Sequence, residues 1–272
     1  KKMKKKTNPI VQRVIDTFNN VTLLTESFLN SNDSIIRGIA IPGDAGLGKT
    51  KAVKDALKKA NKLDKVDYVK GGSITPGALY VKLYLNRNEG DIIALDDVNI
   101  SDLNKTNRDQ IMEMLKGATD PDNEMRTVSY ERTTQNELMK KYKVPSKFEF
   151  NGRIIWITNN TIEDIRKSTK SHFVGLFSRF QWAPCFFSED ERLQYTLYLI
   201  EEIDMLGKNC DTGIKEGGFS EDIIQKTYDY IYDRYEKISD ISPRASLKIA
   251  DLVNRFPNNW ENMVRLQCEN LF

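Results

Sequence analysis

The first two thirds of the chain alternate short, unbroken apolar runs with stretches in which apolar residues recur at helical spacing. Such runs are typical of buried strands. They lie at IIRGIAI (35–41), VDYVKGG (66–72), DIIALDDVN (91–99), FNGRIIWITNN (150–160) and GLFSRFQWAPCFF (175–187). Because these strands alternate with helices up to about residue 187, the pattern predicts an α/β fold built on a parallel sheet.

Three of the intervening stretches differ in character. Residues 9–30 carry apolar positions at helical spacing, enough for one or two helices. Residues 49–60 place valine, alanine and leucine on one face and lysines on the other, which predicts an amphipathic helix. The stretch 119–147 is polar and predicted to be irregular, with a candidate short strand at MRTVSYE.

Two helix ends are marked by single residues. Thr75 and Pro76 predict a helix start, since threonine caps the first turn and proline suits the first helical position. Gly117 is predicted to close a helix over 106–118.

After Ser188 the chain reads as four helices in a row, which predicts an all-helical C-terminal part. Ser188, Ser220 and Ser242 occupy N-cap positions, the first two followed by acids and the third by Pro243. The predicted domains are a helical segment with a basic tail over 1–34, an α/β domain over 35–187 and a helical domain over 188–272.

The segment GDAGLGKT (43–50) joins the first predicted strand to the helix that follows it. Bare glycines let backbone N–H groups turn inward around a polyphosphate, and the positive end of the next helix faces the same anion. In this strand–loop–helix context, the pattern predicts a nucleotide-binding loop rather than a glycine-rich turn. The predicted contacts are Gly43, Asp44, Ala45, Gly46, Leu47, Gly48, Lys49 and Thr50.

Lys49 would bring a full positive charge to the β- and γ-phosphates, and Thr50 would offer a hydroxyl ligand to Mg²⁺. A second metal anchor is expected at the end of the buried strand IIALDD, because the carboxyl edge of a parallel sheet faces the ligand crevice. Asp96 is the candidate for Mg²⁺, held through water, and Asp97 is the candidate for polarising the attacking water. A turn-forming Asp-Asp pair is the alternative.

Charge, cysteine and histidine content and the lengths of the apolar runs limit which other classes of function the chain can have. The formal net charge of +2 over 272 residues does not by itself indicate nucleic acid. Three widely spaced cysteines predict reduced thiols in a cytoplasmic protein, and a single histidine argues against histidine-based catalysis. No apolar run approaches the roughly 20 residues that span a bilayer, and no apolar segment follows the charged start, so neither a membrane span nor a secretory signal is expected.

In this order the motifs resemble those of the AAA+ ATPases, over roughly residues 35–255. GDAGLGKT resembles the Walker A loop, and IIALDD resembles the Walker B strand. Walker B more commonly ends in Asp-Glu, whereas this chain has Asp97 at the position of the catalytic glutamate. Because aspartate is one methylene shorter, the resemblance implies slow hydrolysis or a shifted water.

Three further segments resemble AAA+ motifs. IIWITNN resembles the sensor-1 strand, which implies that Asn159, or Asn160 after a slip of one, orients the water near the γ-phosphate. GLFSRF resembles the segment that carries the arginine finger, here Arg179, which would reach the nucleotide of a neighbouring subunit. SPRASLK resembles sensor 2, with Arg244 on the γ-phosphate of its own subunit. An Asn-Asn turn and an ordinary surface arginine are the alternatives for the first two.

The resemblance implies ATP and Mg²⁺ as cofactors, a nucleotide-binding α/β domain and a helical lid. It also implies a homo-oligomeric ring, most often a hexamer, in which Arg179 acts in trans. GSITPGALYVKLYLNRN and FEFNGRIIWITN are similar to small single-module AAA+ proteins of tailed bacteriophages, which work in the host cytoplasm.

Substrate in such rings is gripped by loops facing the pore. The loop at 71–76 lacks the aromatic–hydrophobic–glycine tip common in protein unfoldases. The insert 119–149 interleaves basic residues with tyrosines, which suits a nucleic-acid backbone with stacked bases, and a charged hairpin packed between subunits is the alternative. Its residues are Arg126, Tyr130, Arg132, Lys140, Lys141, Tyr142, Lys143 and Lys147.

Three functional hypotheses follow. The first is an ATPase acting on single- or double-stranded DNA in replication or recombination, such as a helicase loader or a branch-migration motor, and the basic insert favours it. The second is a protein-remodelling ATPase acting on a partner complex, which the near-neutral charge favours. The third is a slow, nucleotide-switched assembly factor, which Asp97 would permit.

Overall fold

A computed structural model describes residues 8–31, 35–71, 74–122, 124–130, 137–210 and 217–270. The basic tail at 1–6 and Arg132 lie outside these ranges, as do residues 72 and 73 of the first predicted pore loop. The chain forms two compact units. The sheet unit comprises Phe18–Gly43 and Lys49–Phe186, and the helical unit comprises Lys1–Thr17, Asp44–Gly48 and Phe187–Phe272. The three predicted domains stay a prediction, since compactness alone does not show independent folding.

The strands of the described residues all lie in the sheet unit. They are β1 (Gly38–Pro42), β2 (Val66–Lys70), β3 (Ile92–Asp96), β4 (Thr127–Ser129), β5 (Lys147–Glu149), β6 (Arg153–Thr158) and β7 (Phe180–Trp182). Five of them form one parallel sheet in the order β2-β3-β6-β1-β7, and β4 pairs antiparallel with β5. Strands β1 and β6 are buried along their whole length, as expected of central strands covered on both faces.

The helices before the C-terminal region are α1 (Pro9–Asn30), α2 (Lys49–Lys59), α3 (Pro76–Leu85), α4 (Lys105–Ala118), α5 (Glu137–Lys141), α6 (Ile162–Thr169) and α7 (Ser171–Phe177). Residues 9–30 therefore form one helix rather than two. Helix α3 begins as predicted, because the Thr75 side chain accepts a hydrogen bond from Ala78 N–H and Pro76 holds the first helical position. No helix of the described residues is long and apolar enough to cross a membrane.

The prediction that Gly117 closes a helix is wrong. Helix α4 continues to Ala118, and Thr119 follows it as the C-cap. A Cβ at position 117 would lie 2.4 Å from the carbonyl oxygen of Thr127, so the glycine is required by the close approach of β4 to the helix.

The prediction that 119–147 is irregular is wrong in part. The candidate short strand at MRTVSYE is confirmed by β4, but the rest of the stretch is more ordered than predicted. This stretch contains β4, α5 and the first residue of β5, and its apolar side chains join the main core of the sheet unit. Arg126 and Tyr130 are buried there as well, so neither can be a surface contact for nucleic acid. The alternating apolar residues of the insert, rather than its charges, determine its structure.

The C-terminal region contains the four predicted helices, α8 (Glu189–Glu201), α9 (Glu221–Arg234), α10 (Pro243–Arg255) and α11 (Trp260–Cys268). Ser188 begins α8 with a reciprocal capping box to Glu191. Ser242 caps α10 by accepting from Ala245 N–H, whereas the Ser220 side chain makes no capping bond to α9. The inward faces of these helices form a second apolar core.

Candidate nucleotide site

The predicted phosphate loop lies between the end of β1 and the start of α2, and its glycines are required by the backbone. Gly46 and Gly48 have φ angles of +75° and +121°, which side-chain-bearing residues rarely adopt. Gly43 is required for a different reason, because a Cβ there would lie 2.3 Å from the carbonyl oxygen of Cys185. The loop is therefore as bare as the sequence pattern predicts.

Lys49 is held at the carboxyl edge of the sheet. Its ammonium donates to the carbonyl oxygen of Gly43 at 2.7 Å and to Asn159 Oδ1 at 2.9 Å. The residue is only 5% exposed, which fixes the position of the charge. A full cation held in place beside the phosphate loop is suited to bind the outer phosphates of a nucleotide.

Thr50 and Asp96 form a pair of oxygen ligands. The Thr50 hydroxyl donates to Asp96 Oδ1 at 2.9 Å, where Asp96 is the last residue of β3. Hard oxygen donors of this kind fit Mg²⁺, which is usually held by one or two protein ligands together with phosphate oxygens. The residues present therefore fit the predicted metal, and the roles of Thr50 as a ligand and of Asp96 through water stay predictions.

The Asn159 amide connects the lysine to the second aspartate. Its oxygen accepts from Lys49, and its Nδ2 donates to Asp97 Oδ1 at 2.5 Å. Asp97 has a φ angle of +63°, a left-handed conformation that aspartate tolerates better than most residues. The structure therefore brings Lys49, Asn159 and Asp97 into one network.

Asn160, the alternative for the sensor-1 position, is engaged elsewhere. Its Oδ1 accepts from the backbone N–H of Ser101 at 3.1 Å. Of the two neighbouring asparagines, only Asn159 contacts Lys49 and Asp97 through hydrogen bonds between described residues.

Sequence reasoning missed Asn99. Its Oδ1 accepts from the Thr158 hydroxyl at 2.9 Å and from the backbone N–H of Asn159 at 3.0 Å. Asn99 thereby fixes the turn that follows β6 and aims the Asn159 side chain. The available signal was a polar residue shortly after a buried strand, at the same sheet edge as the predicted carboxylates.

Part of the phosphate loop belongs to the helical unit. A Cβ on Gly46 would lie 3.0 Å from Ser242 Oγ and 3.4 Å from Arg244 Cβ, so the start of α10 adjoins the loop. Arg244 is exposed there, and its predicted contact with the γ-phosphate stays a prediction. Asp44, predicted as a nucleotide contact, accepts from Phe187 N–H at 2.9 Å and so ties the loop to the residue before Ser188.

Arg179 is paired within its own chain. Its Nη2 lies 2.9 Å from Asp120 Oδ2, and its Nη1 donates to the carbonyl oxygen of Gly175 at 2.8 Å. Burial alone would raise the pKa of Asp120, but hydrogen bonds from Arg179 and from Asp122 N–H, with the nearby charges of Arg179 and Arg126, hold it below its usual value. The Asp120 carboxyl is therefore ionised at neutral pH, and the predicted role of Arg179 in trans stays a prediction.

Comparisons with known proteins identify the fold. No protein-family model matches the chain. The structure is similar to a point mutant of RuvB from Thermotoga maritima, with a TM-score of 0.51 and 12% identity over 94% of this chain and 69% of that one. It is also similar to NtrX from Brucella abortus in complex with ADP, but at a TM-score of 0.45 and 14% identity, with 92% and 64% of the two chains covered, that likeness is too distant to carry an argument.

The chain has the fold of the AAA+ ATPases, as the order of its motifs predicts. Among curated proteins it is similar to an uncharacterised 36.7 kDa protein of Enterobacteria phage T4, from the nrdC–mobD intergenic region. The two are 28% identical over 257 residues, which span 92% of this chain and 73% of the phage protein. The predicted similarity to phage proteins is consistent with this relative.

Proposed function

We propose that the protein binds ATP with Mg²⁺ and hydrolyses it in a homo-oligomeric ring that acts on DNA. The observation that carries the proposal is the network at the carboxyl edge of the sheet, where Asn159 contacts both Lys49 and Asp97. A lysine for the phosphates and a carboxylate for the attacking water, joined by one amide, are the parts that phosphoryl transfer requires.

Each residue has a distinct role in the proposed reaction. Lys49 binds and neutralises the outer phosphates, while Thr50 and Asp96 hold Mg²⁺, which when bound offsets the phosphate charge. Asp97 accepts a hydrogen bond from the attacking water, and the Asn159 amide sets the position of the Asp97 carboxylate. Asn99 holds the backbone from which Asn159 projects.

The neighbouring copy completes the site in this proposal. A guanidinium is a permanent planar cation that can stabilise the charge developing on the γ-phosphate. Arg179 fits this role because it is partly exposed, with about a quarter of its side-chain surface open to solvent. It must release Asp120 to reach a second nucleotide, so assembly and hydrolysis would be coupled.

The surface that supports a DNA substrate is the lysine tip, defined as Lys140, Lys141, Tyr142, Lys143 and Lys147. All five residues are exposed, and the Lys141 ammonium lies 5.3 Å from the centre of the Tyr142 ring. Clustered cations beside an exposed aromatic ring suit the phosphates and bases of a single strand. With Arg126 and Tyr130 buried, the lysine tip is what remains of the predicted basic surface among the described residues.

ATPase rate measured with and without single-stranded DNA, at low and moderate salt, tests the DNA role. We expect DNA to stimulate hydrolysis at low salt and the stimulation to fall as salt rises, because counterion release drives such contacts. Lys140→Ala combined with Lys141→Ala should remove most of the stimulation.

The matched control is Lys58→Ala with Lys59→Ala, an adjacent exposed lysine pair at the end of α2, which should keep both the basal rate and the stimulation. Stimulation that survives in the tip variant would contradict the assignment of the surface. An ATPase rate that does not change with DNA but rises with a co-expressed protein would instead favour a protein-remodelling ATPase.

Asp97 supports a second candidate, a slow nucleotide-switched assembly factor. Its short carboxylate is bonded to the Asn159 amide, and it stands where AAA+ proteins more commonly carry glutamate. This candidate predicts that the protein binds ATP tightly and forms an oligomer when ATP is bound. It also predicts that the oligomer, in which neighbours supply Arg179, hydrolyses ATP no faster than the monomer.

A further inference from the structure

Three arginines are buried around the amino-terminal end of the central strands, one strand length away from the nucleotide site. This arginine cluster consists of Arg37, Arg126 and Arg153, which are 8%, 1% and 2% exposed. Arginine is almost never so deeply buried without a compensating anion. The phosphate loop does not account for the cluster, because the loop follows the opposite end of β1.

The sheet register places two of these side chains together. Gly38 pairs with Ile154 across β1 and β6, and Ile154 N–H donates to the carbonyl oxygen of Arg37 at 2.9 Å. Arg37 therefore lies beside Arg153, with their Cα atoms about 5 Å apart and their side chains on the same face of the sheet. Two full positive charges are held side by side by the backbone.

Arg153 has a structural role that Arg37 lacks. Arg153 Nη2 donates to the carbonyl oxygen of Ser31 at 2.5 Å, and Lys62 donates to that of Leu29, so both cations meet the negative end of α1. The Nε and Nη1 atoms of Arg37 are buried and have no hydrogen-bond partner among the described residues, and neither has Nε of Arg153. Three strong donors are thus left for a ligand.

Charges of both signs surround the cluster. Burial, and then the positive charge of Arg37, lower the pKa values of both Arg126 and Arg153. The charge of Glu89 raises the pKa of Arg153, and the charges of Asp120 and Asp122 raise that of Arg126. Asp120, which acts on Arg126, is already paired with Arg179. Burial, and then the positive charge of Arg153, lower the pKa of Lys62 as well. Burial is therefore the largest influence on the pKa of Arg153, and it disfavours the charged guanidinium.

We propose that the arginine cluster binds a phosphate-type oxyanion through Arg37 and Arg153. Neighbouring guanidinium groups offer forked donors that match tetrahedral oxyanions, and a dianion compensates two cations at once. The ligand is a small ion rather than a strand of nucleic acid, because both residues as a whole are more than nine-tenths buried. This site is independent of the proposed ATPase activity.

Thermal unfolding in phosphate tests the proposal, with chloride replaced by inorganic phosphate at constant ionic strength. The measurement uses the Lys49→Ala variant, so that phosphate bound at the nucleotide loop does not contribute. We expect phosphate to raise its melting temperature by about 2–4 °C, the size of shift that about 1 kcal/mol gives in a protein of this size. Adding Arg37→Met should abolish the shift.

Arg37→Met has a second expected effect. In phosphate-free buffer it should raise the melting temperature, because it removes a buried charge whose Nε and Nη1 atoms have no hydrogen-bond partner among the described residues. Arg166→Met, at an exposed arginine of α6, is the control and should leave the phosphate shift intact. If Arg37→Met does not fold, Arg37→Lys, which keeps the charge but loses the fork, should still reduce phosphate binding measured by equilibrium dialysis.

Three outcomes would overturn the proposal. The first is a phosphate shift that persists in the Arg37→Met variant. The second is a lower melting temperature of Arg37→Met without phosphate, which would show that the charge of Arg37 is already compensated. The third is a response to a 5′-phosphorylated oligonucleotide but not to inorganic phosphate.

Discussion

At the scale of single residues, the Asn159 amide is the centre of the nucleotide site. Its oxygen and its nitrogen bond two groups of opposite charge, Lys49 and Asp97, so the side chain cannot be replaced by one that only donates or only accepts. The neighbouring Asn160 has the same chemistry but bonds Ser101 instead. Position, not residue type, therefore separates the amide that joins Lys49 to Asp97 from the one that bonds the Ser101 backbone.

Asn159→Ala should leave ATP binding nearly intact but lower kcat by about 10²-fold or more, because Asp97 loses the donor that positions it. Steady-state ATPase assays and ATP binding, measured on the same preparations, separate the two effects. Asn160→Ala is the matched control and should stay within tenfold of wild type. A larger loss in Asn160→Ala than in Asn159→Ala would reverse the assignment.

Most of the residues that meet in the candidate site could be predicted from the sequence, but Asn99 could not. Lys49 and Thr50 are fixed by a local pattern, while Asp96 and Asn159 each end a strand of a parallel sheet, so one edge collects them. Asn99 lies in the irregular segment after β3, and its role depends on the turn after β6 that reaches it. No local sequence pattern predicts this contact between Asn99 and the turn after β6.

At the scale of elements, the two-stranded sheet of β4 and β5 packs on helix α4 through β4. The backbone of Thr127 approaches Gly117 so closely that a methyl group would have no space between them. Sequence reasoning treated this glycine as a helix stop, because glycine commonly follows a helix, and treated the insert as irregular, because its charges mask the alternation of Val128, Tyr130 and Phe148. Tertiary packing overrides both local signals.

Gly117→Ala should lower the free energy of unfolding by about 1–3 kcal/mol, although glycine-to-alanine changes inside a helix usually stabilise it. Urea denaturation measures the effect. Gly175→Ala in α7 is the control, since its Cβ would meet only the side-chain atoms of Arg179 and Lys116, both at 3.3 Å, which can move away. Equal stability changes in the two variants would show that strand β4 does not constrain α4.

At the scale of the whole molecule, the proposed hydrolysis requires more than one copy of the chain. The nucleotide network lies at one end of β1 and β6, whereas Arg179 is bonded to Asp120 within its own chain. We therefore predict a nucleotide-dependent oligomer, most simply a hexamer, in which the contact between copies is head to tail. Sedimentation with a non-hydrolysable ATP analogue that shows only monomer would contradict it.

The central claim is that ATP bound by the Lys49 loop is hydrolysed with Arg179 from a neighbouring copy, and mixing two inactive variants tests it most directly. Lys49→Ala should not bind ATP, and Arg179→Ala should bind it but hydrolyse it slowly. An equimolar mixture should recover about a quarter of the wild-type rate, because one in four random contacts joins an intact loop to an intact arginine. Single variants that bind and hydrolyse ATP like wild type, or a mixture no more active than its components, would contradict the account.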